Sequence, residues 1–278
     1  MSLAQMLLIH ETCALPCNVL TGRFLMSHAH TPNTATWRAP GKMSVIFSAH
    51  RVAAFLFLVQ SVCMWGAFFV LAPSINWPAS IDLPASEMLP LLLEKFPFVM
   101  SGYSLYLLHA LVLIPLAVVL HSALGLSGPL GSTAVVFGVL AGLAKSLGIV
   151  RWIFMMPGLA ASWVAPDASV ATQAAISVIY EAFNAYAGGL GEVMGVGFFA
   201  GLWTLILSVA LLDRGQTVLG FMGLAAAALL FVSLGSVLGI EMPILLTVSG
   251  IFWQLWTAAL ALWMGRSTGF LMAHNETG

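Results

Sequence analysis

Six apolar stretches, each long enough to cross a lipid bilayer, constrain this chain more than any motif in it. A bilayer core takes roughly 20 consecutive apolar residues per helix. The first stretch is VAAFLFLVQSVCMWGAFFVLA, 52–72, expected to close at Pro73. The second is SGYSLYLLHALVLIPLAVVLHSAL, 101–124. The third runs from Thr133 to about Met156 and is expected to close at Pro157. The fourth is EVMGVGFFAGLWTLILSVALL, 192–212. The fifth runs from Val218 to Gly239 and the sixth from Pro243 to Met264. These runs are apolar all round and do not alternate, which argues against membrane strands. Pro115, well inside the second, predicts a kink.

Composition agrees. Hydrophobic residues are 60% of the chain and charged residues 7%, against about 25% charged in soluble domains. So few charges cannot cover the surface of a water-soluble protein of this length. The formal net charge is -1, without the clustered Lys and Arg that phosphate neutralisation needs, so nucleic acid is not an expected partner. The expected fold is all-α: a polytopic transmembrane bundle of six spans, 49–267. It is flanked by a cytosolic N-terminal tail, 1–48, and a short cytosolic tail, 268–278.

The leader contains SHAHTPNTATWRAPGK, polar and rich in turn formers, and is read as a disordered tail. It has no cationic start and no clear cleavage site, so it is not read as a signal peptide. Met43 lies close before the first span and is a candidate natural start. His28 and His30, and Cys13 and Cys17, are too sparse to predict a metal site. Cys63 lies in an apolar run and is read as an uninvolved thiol.

Orientation follows from the cations. Arg23, Arg38, Lys42 and Arg51 precede the first span, Arg214 lies between the fourth and fifth, and Arg266 follows the sixth. With the N-terminus inside, all six are cytosolic, and Lys95 is the cation of an outer loop. Both termini are therefore expected in the cytoplasm, as for a bacterial inner-membrane protein. Two outer loops are long. The first, about 74–100, is rich in Leu, Phe and Trp and is read as lying at the interface. The second, 157–191, predicts an extracytoplasmic amphipathic helix of roughly 15–18 residues between spans three and four. Asp167 or Ser169 would cap it, Val178, Ile179, Ala182, Phe183 and Tyr186 recur at helical spacing, and Gly188 and Gly189 would end it.

The third span carries Lys145 near its middle and Arg151 more than a turn further out. At about 100° per residue they point roughly 120° apart and need not share a partner. A cation at the centre of a span costs about 2.5–3.5 kcal/mol on insertion scales. Arg151 can snorkel toward the boundary, which also suits Trp152. Lys145 is deeper. The available anions are Glu192, at the start of span four, and Glu181, on the amphipathic helix. Two cations and two carboxylates make a neutral set, read either as structural ties or as a polar cavity for a ligand headgroup. In span two, Tyr106 and His109 share a face, and a buried His109 must hydrogen-bond something; Tyr106 or a carboxylate are the candidates. His121 lies roughly three turns away from His109, so the two do not form a bis-histidine haem site, and no cofactor is expected.

Glycines at 138 and 142, and at 195, 197 and 201, are expected to allow close helix approach, and Gln60, Gln254 and Thr257 to bond between helices. No metalloprotease, P-loop, nucleophile-elbow or dinucleotide motif is present.

The phrases EKFPFVMSGYSLYLLHALVLIPLAVVLHSAL, LGIVRWIFMMPGLAASWVAPDAS and VIYEAFNAYAGGLGEVMGVGFFAGLWTLILSVAL resemble the bacterial domain-of-unknown-function family 4386, over roughly residues 50–265. The resemblance rests on R-W, E-A-F-N-x-Y-A-G and L-W-T-L. It implies a six-span inner-membrane protein and carries over no catalytic residue.

The leading expectation is thus a non-enzymatic membrane protein that binds or moves a small amphiphile or lipid. Lys145, Arg151, Glu181, Glu192, His109 and Tyr106 would bind it. The alternatives are a membrane enzyme acting on a lipid or isoprenoid, with His109 or Glu181 as acid or base, and an accessory subunit of a larger membrane complex. Besides the lipid bilayer, a homo-oligomer or a membrane-complex partner stays open.

Overall fold

The computed structural model describes residues 48–240 and 243–275. The chain divides into two units, Met1–Val45 and Ile46–Gly278, and every described residue belongs to the second. The leader, with its Cys13, Cys17, His28 and His30, lies outside the described residues, as do 276–278. The described residues form helices and the turns between them, with no strand. Six helices are long and apolar enough to cross a membrane: Ala49–Ile75, Phe96–Ala123, Gly128–Trp163, Val170–Asp213, Thr217–Gly235 and Ile244–Arg266. The protein is a multi-pass integral membrane protein built as an all-helical bundle.

Span one shows how such a helix is patterned. Its buried residues Ala53, Phe57, Gln60, Ala67 and Leu71 follow helical spacing. Phe55, Leu58, Val62 and Phe69, on the other side, are all more than half exposed. An exposed face this apolar suits lipid rather than water.

Three expected stops are not stops. Pro73 sits inside span one, in its last turn, and the helix ends at Asn76, which takes a left-handed conformation (φ 58°). A proline there costs one helical N–H and little else. Pro157 does not close span three, which continues to Trp163. The five residues before Met156, Arg151–Met155, form a π-helical turn. Proline needs the carbonyl four residues earlier moved aside, and that carbonyl belongs to Ile153, inside the widened turn. Nor do Gly188 and Gly189 end a separate helix. Both keep right-handed helical φ, near -62° and -55°, whereas a glycine terminates a helix by turning left-handed. The helix from Val170, capped by the Ser169 hydroxyl accepting from the Thr172 amide, runs on through a π-helical stretch, Gly189–Ala200, to Asp213. The expected amphipathic helix is therefore the leading half of span four. Pro115 leaves span two helical throughout.

The connection between spans one and two folds back onto the bundle. It holds a short 3-10 turn, Ala79–Asp82, and a helix, Ala85–Glu94, whose buried residues Ala85, Met88, Leu89 and Leu92 share one face. They pack with Tyr103, Trp152 and Tyr180 into a core under the connection. Two uncharged side chains tie it to the leading half of span four. Tyr180 Oη donates to the Leu83 carbonyl at 3.1 Å, and Asn184 Nδ2 to the Ile81 carbonyl at 2.9 Å. A second core, around Phe57, Leu116, Trp203 and Trp256, fills the remainder of the bundle.

Cations mark the opposite end. Arg51 opens span one and Arg266 lies at the far end of span six. Arg214, in the turn after span four, donates to the Leu124 carbonyl that closes span two, and to the Ala210 carbonyl at 2.7 Å. Lys95 lies at the 76–95 end and pairs with its neighbour Glu94 at 2.7 Å.

Candidate functional site

A cavity of about 420 Å³ opens beneath the 76–95 connection. Its walls come from span one (Met64), the connection (Trp77, Asp82), span two (Tyr106), span three (Lys145, Arg151), span four (Glu192) and span six (Gly250). A smaller void of about 60 Å³ lies alongside, lined by His109, Trp253 and Gln254. Lys145, Tyr106 and Gly250 border both.

Lys145 is 6% exposed and faces no carboxylate within ion-pairing distance among the described residues. Its partner is His109, with Nζ 2.9 Å from Nε2. The other ring nitrogen, Nδ1, is 3.1 Å from the carbonyl of Gln60. A carbonyl only accepts, so Nδ1 carries the ring proton and Nε2 offers its lone pair to the Lys145 ammonium. The Trp253 ring completes the cation's surroundings, 5.1 Å from Nζ, a cation–π distance. The sequence alone pointed Lys145 toward a glutamate or a ligand, and His109 toward Tyr106 or a carboxylate. The structure pairs them with each other. Tyr106 instead stacks on the His109 ring, centroids 5.9 Å apart.

Arg151 has separate partners, as its 120° offset from Lys145 implies. Its Nη1 donates to the Gly148 carbonyl at 3.1 Å, and Nη2 lies 3.7 Å from Glu192 Oε1. Its Nε finds no partner among the described residues. The guanidinium is 5.5 Å from the Trp152 ring, which lies parallel to Tyr103 at 5.1 Å. The Glu192 side chain is half exposed, and it lines the cavity. Glu181 is also exposed, but it is not part of the wall and pairs with neither cation. Of the six residues singled out in sequence, four line the main cavity, His109 lines the smaller void, and Glu181 is elsewhere.

Both π-helical segments meet at this site, Arg151–Met155 contributing Arg151 and Trp152, and Gly189–Ala200 contributing Gly191, Glu192 and Val196. Such turns are rare and concentrate at functional sites. Between them, spans three and four touch backbone to backbone. A Cβ added to Gly148 would stand 2.7 Å from the Gly191 Cα, and one added to Gly195 would stand 2.8 Å from the Lys145 amide nitrogen. Gly195 is one of the glycines expected to pack closely, and others of that set do so elsewhere: Gly142 against Ile114, and Gly201 against Phe231.

Of the three residues expected to bond between helices, Gln60 does so through its main-chain carbonyl, which accepts from His109 Nδ1. The Gln60 side-chain amide and Gln254 Oε1 lack partners among the described residues, and Thr257 bonds within its own helix. Trp253 Nε1 also donates across helices, to Thr204 Oγ1 at 2.9 Å.

Chemically, the cavity offers two cations, an aromatic wall and two carboxylates, Glu192 and Asp82. Among the described residues no group of three or more His, Cys, Asp or Glu is placed to hold a metal ion. His109 has both ring nitrogens engaged, leaving no free lone pair for a substrate proton. No curated protein and no solved structure matches the chain. A family model described as Domain of unknown function (DUF4386) matches residues 52–265, which covers all six spans but for the ends of the first and last, and every residue of the cavity wall named above. By that match, the chain belongs to the DUF4386 family.

Proposed function

We propose that this protein binds, and in doing so can move, a small amphiphile held in the cavity beneath the 76–95 connection. The observation that carries this reading is the wall itself: buried cations and aromatic rings around one space of about 420 Å³. That volume falls within the roughly 300–1,000 Å³ of small-molecule sites. Lys145, Arg151, Glu192 and Tyr106 form the polar side, with His109 in the adjoining void bonded to Lys145 and Glu181 outside both. Binding is favoured over catalysis because His109 is committed to Gln60 and Lys145 and Glu181 is remote from the cavity. The experiment is purification from native membranes in mild detergent, with mass spectrometry of bound lipids and proteins. Gly250 offers the control: it borders both voids, and a Cβ added there meets no atom within 4 Å. Wild type is expected to carry a defined amphiphile, and Gly250→Phe to lose it while staying monodisperse. Equal lipid content in both would count against the reading, and a stoichiometric protein partner in place of lipid would favour an accessory subunit.

The same proposal places the protein in the bacterial inner membrane with both termini cytoplasmic, and so the cavity in the extracytoplasmic half. Support comes from Arg51, Arg214 and Arg266 gathering at one end, with Lys95 at the other. A reporter active only outside the cytoplasm should work when inserted near Asp167 and fail after Arg266; the reverse pattern would invert the topology.

A further inference from the structure

We infer that the head of this amphiphile is an anion, a carboxylate or a phosphate monoester, seated between Lys145 and Arg151, and that it carries a single chain. This rests on the cavity being an amphiphile site, as proposed above.

The argument is a count of donors against acceptors. The Lys145 ammonium has three N–H bonds to place. The described residues offer it one acceptor, the His109 Nε2 lone pair, and the face of Trp253. Arg151 has five N–H bonds. One goes to the Gly148 carbonyl, and the carboxylate of Glu192 stands at 3.7 Å, beyond hydrogen-bond distance. Three lining residues also hold a buried polar atom with no partner among the described residues: Arg151 Nε, Trp77 Nε1 and Tyr103 Oη. Each of these atoms can donate. A wall with surplus donors and two buried cations is matched by an acceptor-rich, negatively charged group. A cationic head would have to approach both cations, and a neutral hydroxyl would leave most of the donors unmet.

The chain number follows from space. The wall behind the cations is aromatic and aliphatic, with Phe68, Trp77, Tyr106 and Trp152 beside Met64 and Ile149. A cavity of about 420 Å³ lies near the lower end of small-molecule sites, enough for one alkyl chain and too little for a diacyl lipid to enter whole.

The test uses the full chain in nanodiscs and reads quenching of its tryptophans by bromine-labelled probes, since Trp77 and Trp152 line the cavity and Trp253 the adjoining void. Four probes share one chain: hexadecanoate, hexadecyl phosphate, hexadecanol and hexadecyltrimethylammonium. Quenching of Gly250→Phe at the same bilayer content defines the background. The expected result is saturable quenching of wild type by at least one anion, at least about tenfold tighter than by the alcohol. That is the scale of one charge-assisted hydrogen bond. Whichever anion is tighter names the head as carboxylate or phosphate. Lys145→Met should shrink the difference between anion and alcohol, with Arg151 left to hold the remainder. Alcohol and anions binding wild type equally above background would overturn the anionic head and leave the amphiphile site standing. Preference for the ammonium would overturn it too, and move the head to Glu192 and Asp82. No probe exceeding background would overturn both this inference and the reading it rests on.

Discussion

Substituting His109→Leu is expected to destabilise the protein by about 3 kcal/mol or more, and adding Lys145→Met to it is expected to restore most of the loss. The two side chains are hydrogen-bonded to each other where the main cavity and the smaller void adjoin. His109 is fully buried and Lys145 nearly so, and Nε2 is the one hydrogen-bond acceptor that the described residues give Nζ. Leucine is close to histidine in size, so His109→Leu mainly removes the lone pair. The ammonium is then left buried against Trp253 and a void of about 60 Å³, and an uncompensated buried charge is among the most damaging changes a core can suffer. Lys145→Met alone leaves Nε2 without its donor, a cost of about 1–3 kcal/mol, offset by no longer burying a cation. In the double variant neither group remains, and an apolar pair of similar volume fills the site. The sign of the coupling is what discriminates. Thermal unfolding of the wild type, both single variants and the double variant in one detergent gives it directly. A double variant that melts as low as His109→Leu, or lower, would show that His109 stabilises through its own packing and not by serving Lys145.

The count of spans was legible because the bilayer imposes it: an apolar run of about 20 residues has few other destinations. Where the runs stop was less legible. Pro157 reads as a terminator only if the helix before it is regular, and nothing in R-W-I-F-M announces the π turn that accommodates it. Gly188 and Gly189 read as a C-cap by composition, yet both keep right-handed helical φ, and the close approach to span three falls on Gly191 and Gly195 further along the same helix.

The partners of the buried charges were less legible still, because helical spacing orders residues within one helix and says nothing of how neighbouring helices are rotated. Lys145 and His109 each lacked an evident partner in sequence, and both gaps close once spans two and three are placed side by side. Glu181 and Glu192 looked interchangeable. Eleven residues apart on one helix, they project about 20° from each other but sit about 16 Å apart along the axis. Only Glu192 therefore reaches the level of Arg151. Tyr180, which fastens the 76–95 connection, and Trp253, which faces Lys145, carried no distinguishing pattern, and Asn184 lay in the E-A-F-N-x-Y-A-G phrase without any sign of its bond to that connection. An amide, a tyrosine and a tryptophan in an apolar run are ordinary packing residues until the fold places them.

The contact that builds this site is the backbone approach of spans three and four, and Gly148→Val is expected to break it, at a cost of about 3 kcal/mol and a fall in melting temperature of several degrees. A Cβ at residue 148 would meet the Gly191 Cα at 2.7 Å and the Ala187 carbonyl oxygen at 2.9 Å, and one at 191 would meet the Gly148 Cα at 3.0 Å. Each obstacle is main chain, which cannot rotate aside as a side chain would. The helices must separate, and the separation acts where Arg151 and Glu192 meet, since Gly148 also supplies the carbonyl that holds Arg151 Nη1. Gly148→Val should thus lose binding of the amphiphile as well as stability. Two other glycines of the same helices supply the contrast. Nothing lies within 4 Å of a Cβ at Gly158 or Gly189, and neither has a positive φ. Gly158→Ala and Gly189→Ala should leave the melting temperature unchanged or raise it, because alanine restricts the unfolded chain by about 0.4–1 kcal/mol where the native conformation suits it. If Gly148→Val melts with the wild type while the two alanine variants do not, then the backbone contact between spans three and four does not hold the bundle together, and the cavity wall needs another foundation.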